Sequence, residues 1–222
     1  MTAGDRTTGD RTAGEVRRGG GNGVFIKICG LRTEQDLDVA VTAGADAVGF
    51  VFAPGSPRTV DAPTARRLAA LVPAGVLTVG VFRGQPVEEV RRLTEESGVR
   101  GVQLHGDEGQ EYYEALRAEG RTLLRATAEH VRRCGEYGED LLLLDAPDPG
   151  SGKPWNWGAP SFTAPEGRWL LAGGLTPGNV SEAVKTTGAW GVDVSSGVES
   201  SRGVKSPALI RSFIEAARSA RG

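Results

Sequence analysis

The strongest constraint on this chain is a repeated alternation. From Val24 onward, eight short apolar runs of four to six residues are separated by stretches with a helical period. The runs are Phe25–Ile28, Ala47–Phe52, Leu77–Val81, Gly101–Leu104, Thr122–Ala126, Leu141–Leu144, Trp169–Ala172 and Gly191–Val194. Helical patterns begin near Thr33, Asp61, Pro86, Gly109, Glu129, Thr176 and Ser206. Thr33-Glu-Gln-Asp has the form of a capping box, and Pro86, Pro177 and Pro207 suit a first helical turn. Runs apolar on both faces are what parallel strands look like when helices cover them. Eight such units fit a closed (β/α)8 barrel better than an open doubly wound sheet, which needs only five or six strands. A single barrel domain is therefore expected over residues 24–222. The weak link is Ala146–Pro165, rich in Pro, Gly and Trp, where a long loop with at most a short helix is expected.

Composition narrows the function classes. Acidic groups number 28 against 26 basic, a net charge of −2, so no global positive field gathers nucleic acid and none is expected as a partner. The two cysteines, Cys29 and Cys134, form no CxxC, zinc or disulfide pattern, which points to a reducing cytoplasm. With histidine only at positions 105 and 130, no metal-ligand spacing exists. The N-terminus lacks an apolar signal core and no apolar run approaches the roughly 18 residues of a membrane span, so neither secretion nor membrane insertion is expected. Gly150-Ser-Gly-Lys153-Pro154 imitates the end of a phosphate loop, but Pro147 and Pro154 occupy key positions. The glycine run Gly19–Gly23 precedes the first strand, so it is no dinucleotide fingerprint.

A barrel works at the carboxyl ends of its strands. Those positions carry Cys29-Gly30, Ser56-Pro-Arg58, Gln103-Leu-His105, Asp145, Gly173-Gly174 and Ser195-Ser196-Gly197. Residues two apart share a face, so a Cys29 at the mouth places Lys27 one layer below. A carboxyl emerging from the apolar run Leu141–Leu144 is set up as a proton donor, because desolvation favours its neutral form. A thiol near a lysine is expected to shift toward the thiolate. The two glycine-bearing loops stand where barrels bind phosphate through backbone N–H groups. The residues alone also admit structural readings: a buried free cysteine, an aspartate cap, a satisfied histidine at Gln103–His105, and an Arg58 that merely solvates a loop.

Taken in order, the motifs resemble those of the phosphoribosylanthranilate isomerase family. They are Lys27-Ile-Cys-Gly-Leu31, Ser56-Pro-Arg-Thr-Val60, Gly80-Val-Phe82, Val102-Gln-Leu-His-Gly-Asp-Glu108, Leu144-Asp145, Gly150-Ser-Gly-Lys153, Ala172-Gly-Gly-Leu175 and Gly191-Val-Asp-Val-Ser-Ser-Gly-Val-Glu199. The resemblance covers Phe25 to the C-terminus. It implies a (β/α)8 barrel of the tryptophan pathway that performs an Amadori rearrangement on a phosphorylated sugar with no cofactor or metal, as a monomer or homodimer. It implies that Asp145 is the general acid, Cys29 the general base and Arg58 the holder of the anthranilate carboxylate. Gly173, Gly174, Ser195, Ser196 and Gly197 match the phosphate loops, and Gln103 and His105 lie beside the substrate. This chain departs from the family pattern at Arg83, Arg202 and Ser206. Two other readings compete: a barrel of broadened specificity that also takes the analogous histidine-pathway aminoaldose, and a catalytically silent binding protein. The absence of a half-barrel repeat opposes the first, and the retention of Cys29, Arg58 and Asp145 opposes the second.

Residues 1–23, MTAGDRTTGDRTAGEVRRGGGNG, have almost nothing to bury and read as a disordered polar tail. Deleting them is expected to leave turnover unchanged. A truncated chain that loses most of its activity would overturn that assignment.

Overall fold

The computed structural model describes residues 23–146, 157, 159 and 162–221. Eight strands, β1 (Phe25–Cys29), β2 (Ala47–Val51), β3 (Leu77–Phe82), β4 (Gly101–Leu104), β5 (Thr122–Thr127), β6 (Leu141–Leu144), β7 (Trp169–Leu171) and β8 (Gly191–Val194), pair in sequence order, and β8 returns to β1 to close the barrel. Every barrel pairing is parallel, and each strand lies within one residue of its predicted bounds. The helices are α1 (Glu34–Thr42), α2 (Ala62–Ala69), α3 (Val87–Ser97), α4 (Gln110–Arg117), α5 (Val180–Thr187) and α6 (Pro207–Arg218). A small hairpin, β9 (Glu199–Ser201) and β10 (Val204–Lys205), lies between β8 and α6. Among the described residues no helix is long and apolar enough to cross a membrane.

The strand period of two sorts side chains into two layers. Ile26, Ile28, Val48, Phe50, Val102, Leu142, Leu171 and Val192 are buried with helix residues such as Leu37, Leu68, Val90, Leu116 and Phe213 in the larger core cluster. The alternate residues Phe25, Ala47, Val79, Leu124, Leu141, Leu143 and Leu170 form a separate apolar cluster that fills the barrel. Above it, Cys29, Val51, Ala53 and Val81 make a third small cluster at the mouth. Lys27 lies between Phe25 and Cys29 on the inward face and is fully buried, as the alternation predicts.

Capping follows the sequence signals at several helix starts. Thr33 and Asp61 accept from the backbone N–H of Asp36 and Thr64, and Pro86, Gly109 and Ser206 stand at three further predicted starts. Two helical expectations fail. No helix forms after Glu129; residues 128–140 instead make turns, with left-handed glycines at Gly135 (φ 95°) and Gly138 (φ 86°) that a regular helix cannot contain. Cys134 therefore sits in a turn segment and not in a helix. The missing helix is replaced by a stack in which the Arg125 guanidinium lies 3.7 Å from the Tyr137 ring centre, and that ring meets Tyr113 edge-on. The second miss is α5, which starts at Val180 and not at Thr176. Asn179 holds the intervening turn, accepting from Thr176 N–H and donating to the Gly174 carbonyl. The disordered-tail expectation, apart from Gly23, and most of Ala146–Pro165 lie outside the described residues.

Ser206, a departure from the family pattern, has a local explanation. Its hydroxyl accepts from Leu209 N–H at 3.4 Å and caps α6, a task an acidic side chain performs equally well. Ser206→Ala is expected to cost about 0.5–1 kcal/mol and Ser206→Asp almost nothing. Thermal or denaturant unfolding of the two variants checks this, and equal losses would refute the capping role.

Candidate active site

The inward rows of side chains end in an open cavity of about 300 Å³ at the carboxyl end of the barrel. Its wall includes Cys29, Arg58, Gln103, His105, Asp145 and Ser195, so the structure brings six of the predicted site residues to one place. Cys29, Gln103, His105, Asp145 and Ser195 come from β1, β4, β6 and β8 or the residue just after, and Arg58 from the loop after β2.

The other four predicted residues are not on this wall but on the adjoining loops. Gly173 and Gly174 follow β7 with φ of 81° and 66°, a left-handed pair that side chains resist. A Cβ on Gly173 would stand 2.5 Å from Ala146 N and 2.9 Å from Asp145 Oδ1. A Cβ on Gly197 would collide with the Leu175 carbonyl oxygen. The loop after β8 therefore packs directly on the loop after β7, and bare backbone is what permits it.

Asp145 is nearly buried at 9% exposure. Its Oδ1 accepts from Ala146 N–H at 2.7 Å, and its Oδ2 faces His105 Nε2 at 3.2 Å. That approach is within ion-pair distance but off the line of a hydrogen bond, so Nε2 has no hydrogen-bond partner among the described residues. Gln103, 1% exposed, likewise carries an amide oxygen with no partner there. Cys29 is buried, and burial pushes its thiol above the ordinary range; Lys27 and Lys205 pull the other way, and Asp193 adds to the rise. The expected thiolate shift is therefore overturned, because desolvation exceeds the pull of the nearby ammonium groups.

Arg58 is not a free fork. Its Nε and Nη2 donate to Glu199 Oε1 and Oε2 at 2.6 and 2.9 Å, which leaves Nη1 outside this pairing. Glu199 and Lys205 face each other across the β9–β10 hairpin, with Lys205 Nζ 3.0 Å from Glu199 Oε1. Lys205 also donates to the Ser195 carbonyl at 2.8 Å and its hydroxyl at 3.2 Å. One carboxylate thus holds both the Arg58 guanidinium and the lysine that steadies the loop after β8.

Asp193, Glu199 and Lys205 also bear on the site, although the sequence patterns above do not single them out. Asp193 was findable: it is the lone charge on an apolar strand, two residues before Ser195 and so on the same inward face. The Glu199–Lys205 pairing depends on a hairpin register that no local pattern announces. The two guanidiniums that depart from the family pattern, Arg83 and Arg202, both reach the cavity wall with exposed side chains.

Burial works to raise Glu199, but hydrogen bonds from Arg58 and the Gly203 N–H, together with Lys205, bring it down to about 2. A carboxylate lowered in the folded state stabilises the fold fully above its ordinary value of 4.5 and loses that contribution as pH falls toward about 2. Melting curves of wild type and Glu199→Gln from pH 7 to pH 2.5 are expected to show an advantage for wild type that shrinks below pH 4.5. An advantage undiminished at the acid end would refute the pairing.

Comparison with known proteins converges on one family. The family model described as N-(5'-phosphoribosyl)anthranilate (PRA) isomerase matches residues 26–216. The N-(5'-phosphoribosyl)anthranilate isomerase of Deinococcus radiodurans is 42% identical over 202 residues, covering 88% of this chain and 97% of that protein. The enzyme of the same name from Rubrobacter xylanophilus is 41% identical, covering 87% of this chain and 98% of its own length. Among solved structures, TrpF from Jonesia denitrificans superposes with a TM-score of 0.81 at 46% identity, covering 89% of this chain and 98% of that one. A phosphoribosyl anthranilate isomerase solved with reduced 1-(o-carboxyphenylamino)-1-deoxyribulose 5-phosphate has a TM-score of 0.74 at 33% identity, covering 88% and 99% of the two chains. With a closed eight-stranded barrel, the ordered motifs and these relatives in agreement, the chain belongs to the phosphoribosylanthranilate isomerase family, the isomerases of tryptophan biosynthesis.

Proposed function

We infer that this barrel converts N-(5-phosphoribosyl)anthranilate to 1-(2-carboxyphenylamino)-1-deoxyribulose 5-phosphate with Asp145 as general acid and Cys29 as general base. The observation that carries the reading is that both groups line one cavity, from the ends of β6 and β1, in company with Arg58. Asp145 gives its proton to the furanose ring oxygen, the C1–O bond breaks, and the lone pair of the anthranilate nitrogen forms the C1=N bond of a Schiff base. The Cys29 thiolate then removes the C2 proton, and the C2–H electrons neutralise the iminium to give an enolamine. Tautomerisation of the enolamine to the ketone completes the isomerisation. Oxidation at C2 balances reduction at C1 within one molecule, so the reaction calls for no external oxidant or reductant.

Binding groups divide by charge. Arg58, fixed through Nε and Nη2, offers Nη1 to the anthranilate carboxylate, a planar partner for a planar anion. Gly173, Gly174, Ser195, Ser196 and Gly197 bind the phosphate, a reading supported by the direct packing of the loop after β8 on the loop after β7. Gln103 supplies a buried acceptor for a substrate hydroxyl or amine, because an unpaired buried oxygen is costly until a ligand satisfies it. Arg83 and Arg202 add positive charge at the rim, which favours a substrate bearing both a carboxylate and a phosphate.

Single proton-transfer groups contribute on the order of 10² to 10⁴-fold to rate. With phosphoribosylanthranilate generated in situ and its fluorescence followed, Cys29→Ala and Asp145→Ala are each expected to lose at least about 10²-fold in kcat. Both are expected still to bind a reduced product analogue. Either variant turning over at close to the wild-type rate would remove that residue from its assigned role.

A further inference from the structure

The barrel interior contains a fully buried lysine that the acid–base scheme does not use. Lys27 is 0% exposed, and its Nζ donates to Asp193 Oδ1 at 2.7 Å across the β1–β8 seam. It precedes Cys29 by two residues on the inward face of β1, roughly 6.6 Å along the strand, a gap its four-carbon stem spans easily. On the neighbouring strand, Gly49 is in register with Cys29. A Cβ there would stand 3.0 Å from the Cys29 sulfur and 3.3 Å from Lys27 Nζ, so the two groups converge on one space that bare glycine keeps open.

We propose that Lys27, anchored by Asp193, is a positioning residue for proton abstraction: its ammonium borders the same space as the Cys29 sulfur, one layer below, and stabilises the thiolate that acts as base. The proposal rests on the reading of Cys29 as the base and adds which buried group favours its deprotonation. A low-dielectric site makes one adjacent cation worth far more than in water. Three charged groups bear on Cys29: Lys27 from its own strand and Lys205 from β10 favour the thiolate, and Asp193 from β8 opposes it. Arg58, His105, Asp145, Arg83 and Arg202 face the same cavity. Asp193 therefore has two opposed effects, since it holds Lys27 in place while weakening the cation's net pull on sulfur. Gly49 belongs to the same device, since a methyl group there would crowd both the sulfur and the ammonium.

The test reads the thiol directly. In a Cys134→Ser background, which leaves one cysteine, carbamidomethylation by iodoacetamide is timed from pH 6 to pH 11 without substrate; the thiolate displaces iodide to form the S–C bond. Lys27→Met is expected to slow alkylation at pH 8 about tenfold or more and to move the pH midpoint upward. Asp193→Asn is expected to do the opposite. The kcat pH profile should move with the alkylation midpoint, and raising the pH should partly rescue Lys27→Met, which a purely structural role would not produce. If Lys27→Met does not fold, the comparison of Asp193→Asn with the Lys27→Met/Asp193→Asn double variant decides, because the two share the Asp193→Asn change and differ only at the lysine, and the double variant leaves no charge of the original pair behind. Unchanged alkylation on loss of the lysine overturns the proposal even if Cys29→Ala is inactive. Shifted alkylation with an active Cys29→Ala variant keeps the lysine effect and removes the base assignment instead.

Discussion

The structure depends on the buried contact between Lys27 and Asp193. The first and last strands of the barrel meet with these two residues in register, and their side chains form an ion pair at 2.7 Å between an apolar floor and the open cavity. Taking both charges out of water is costly, and their mutual attraction offsets that cost only when the geometry is good. Removing one partner of such a pair leaves an uncompensated buried charge, at about 3–5 kcal/mol. The pair also has a selective effect on register. A slip of one residue in β1 would turn Lys27 out of the barrel into the helix layer and leave Asp193 buried without its partner.

The chemistry at the mouth is a continuation of the packing below it. Along β1 the inward face runs Phe25, Lys27, Cys29, and along β6 it runs Leu141, Leu143, Asp145. Each strand changes from apolar filling to reactive group within two steps of the same alternation. The last βα loop and its hairpin close the arrangement from the side, because Glu199 joins Arg58 from the second unit to Lys205 from the eighth. Groups from distant parts of the chain are thereby fixed by one shared carboxylate.

Much of this was legible in the sequence. Period-two alternation located Cys29, Lys27 and Asp145, and glycine spacing located the two loops beside them, because these features are local and their physics acts within a few residues. The helix expected after Glu129 was not legible as absent, since its polar periodicity is real while the backbone is decided by Gly135 and Gly138 and by the Arg125–Tyr137 stack. The elevated thiol at Cys29 escaped for a different reason: proximity to a lysine is visible in the sequence, but the depth of burial that outweighs it is a property of the closed barrel. Glu199 and Lys205 depend on hairpin register, and no nearest-neighbour pattern encodes that.

The seam contact joins positions 166 residues apart in the chain. Contacts of such separation form only after the intervening loop entropy has been overcome, and β8 is synthesised long after β1. During synthesis the cysteine strand waits with its lysine unpaired until nearly the whole barrel exists. The environment of the Cys29 sulfur is therefore among the last things the folding chain completes, and a truncated or stalled chain has the cysteine without the surroundings that govern it.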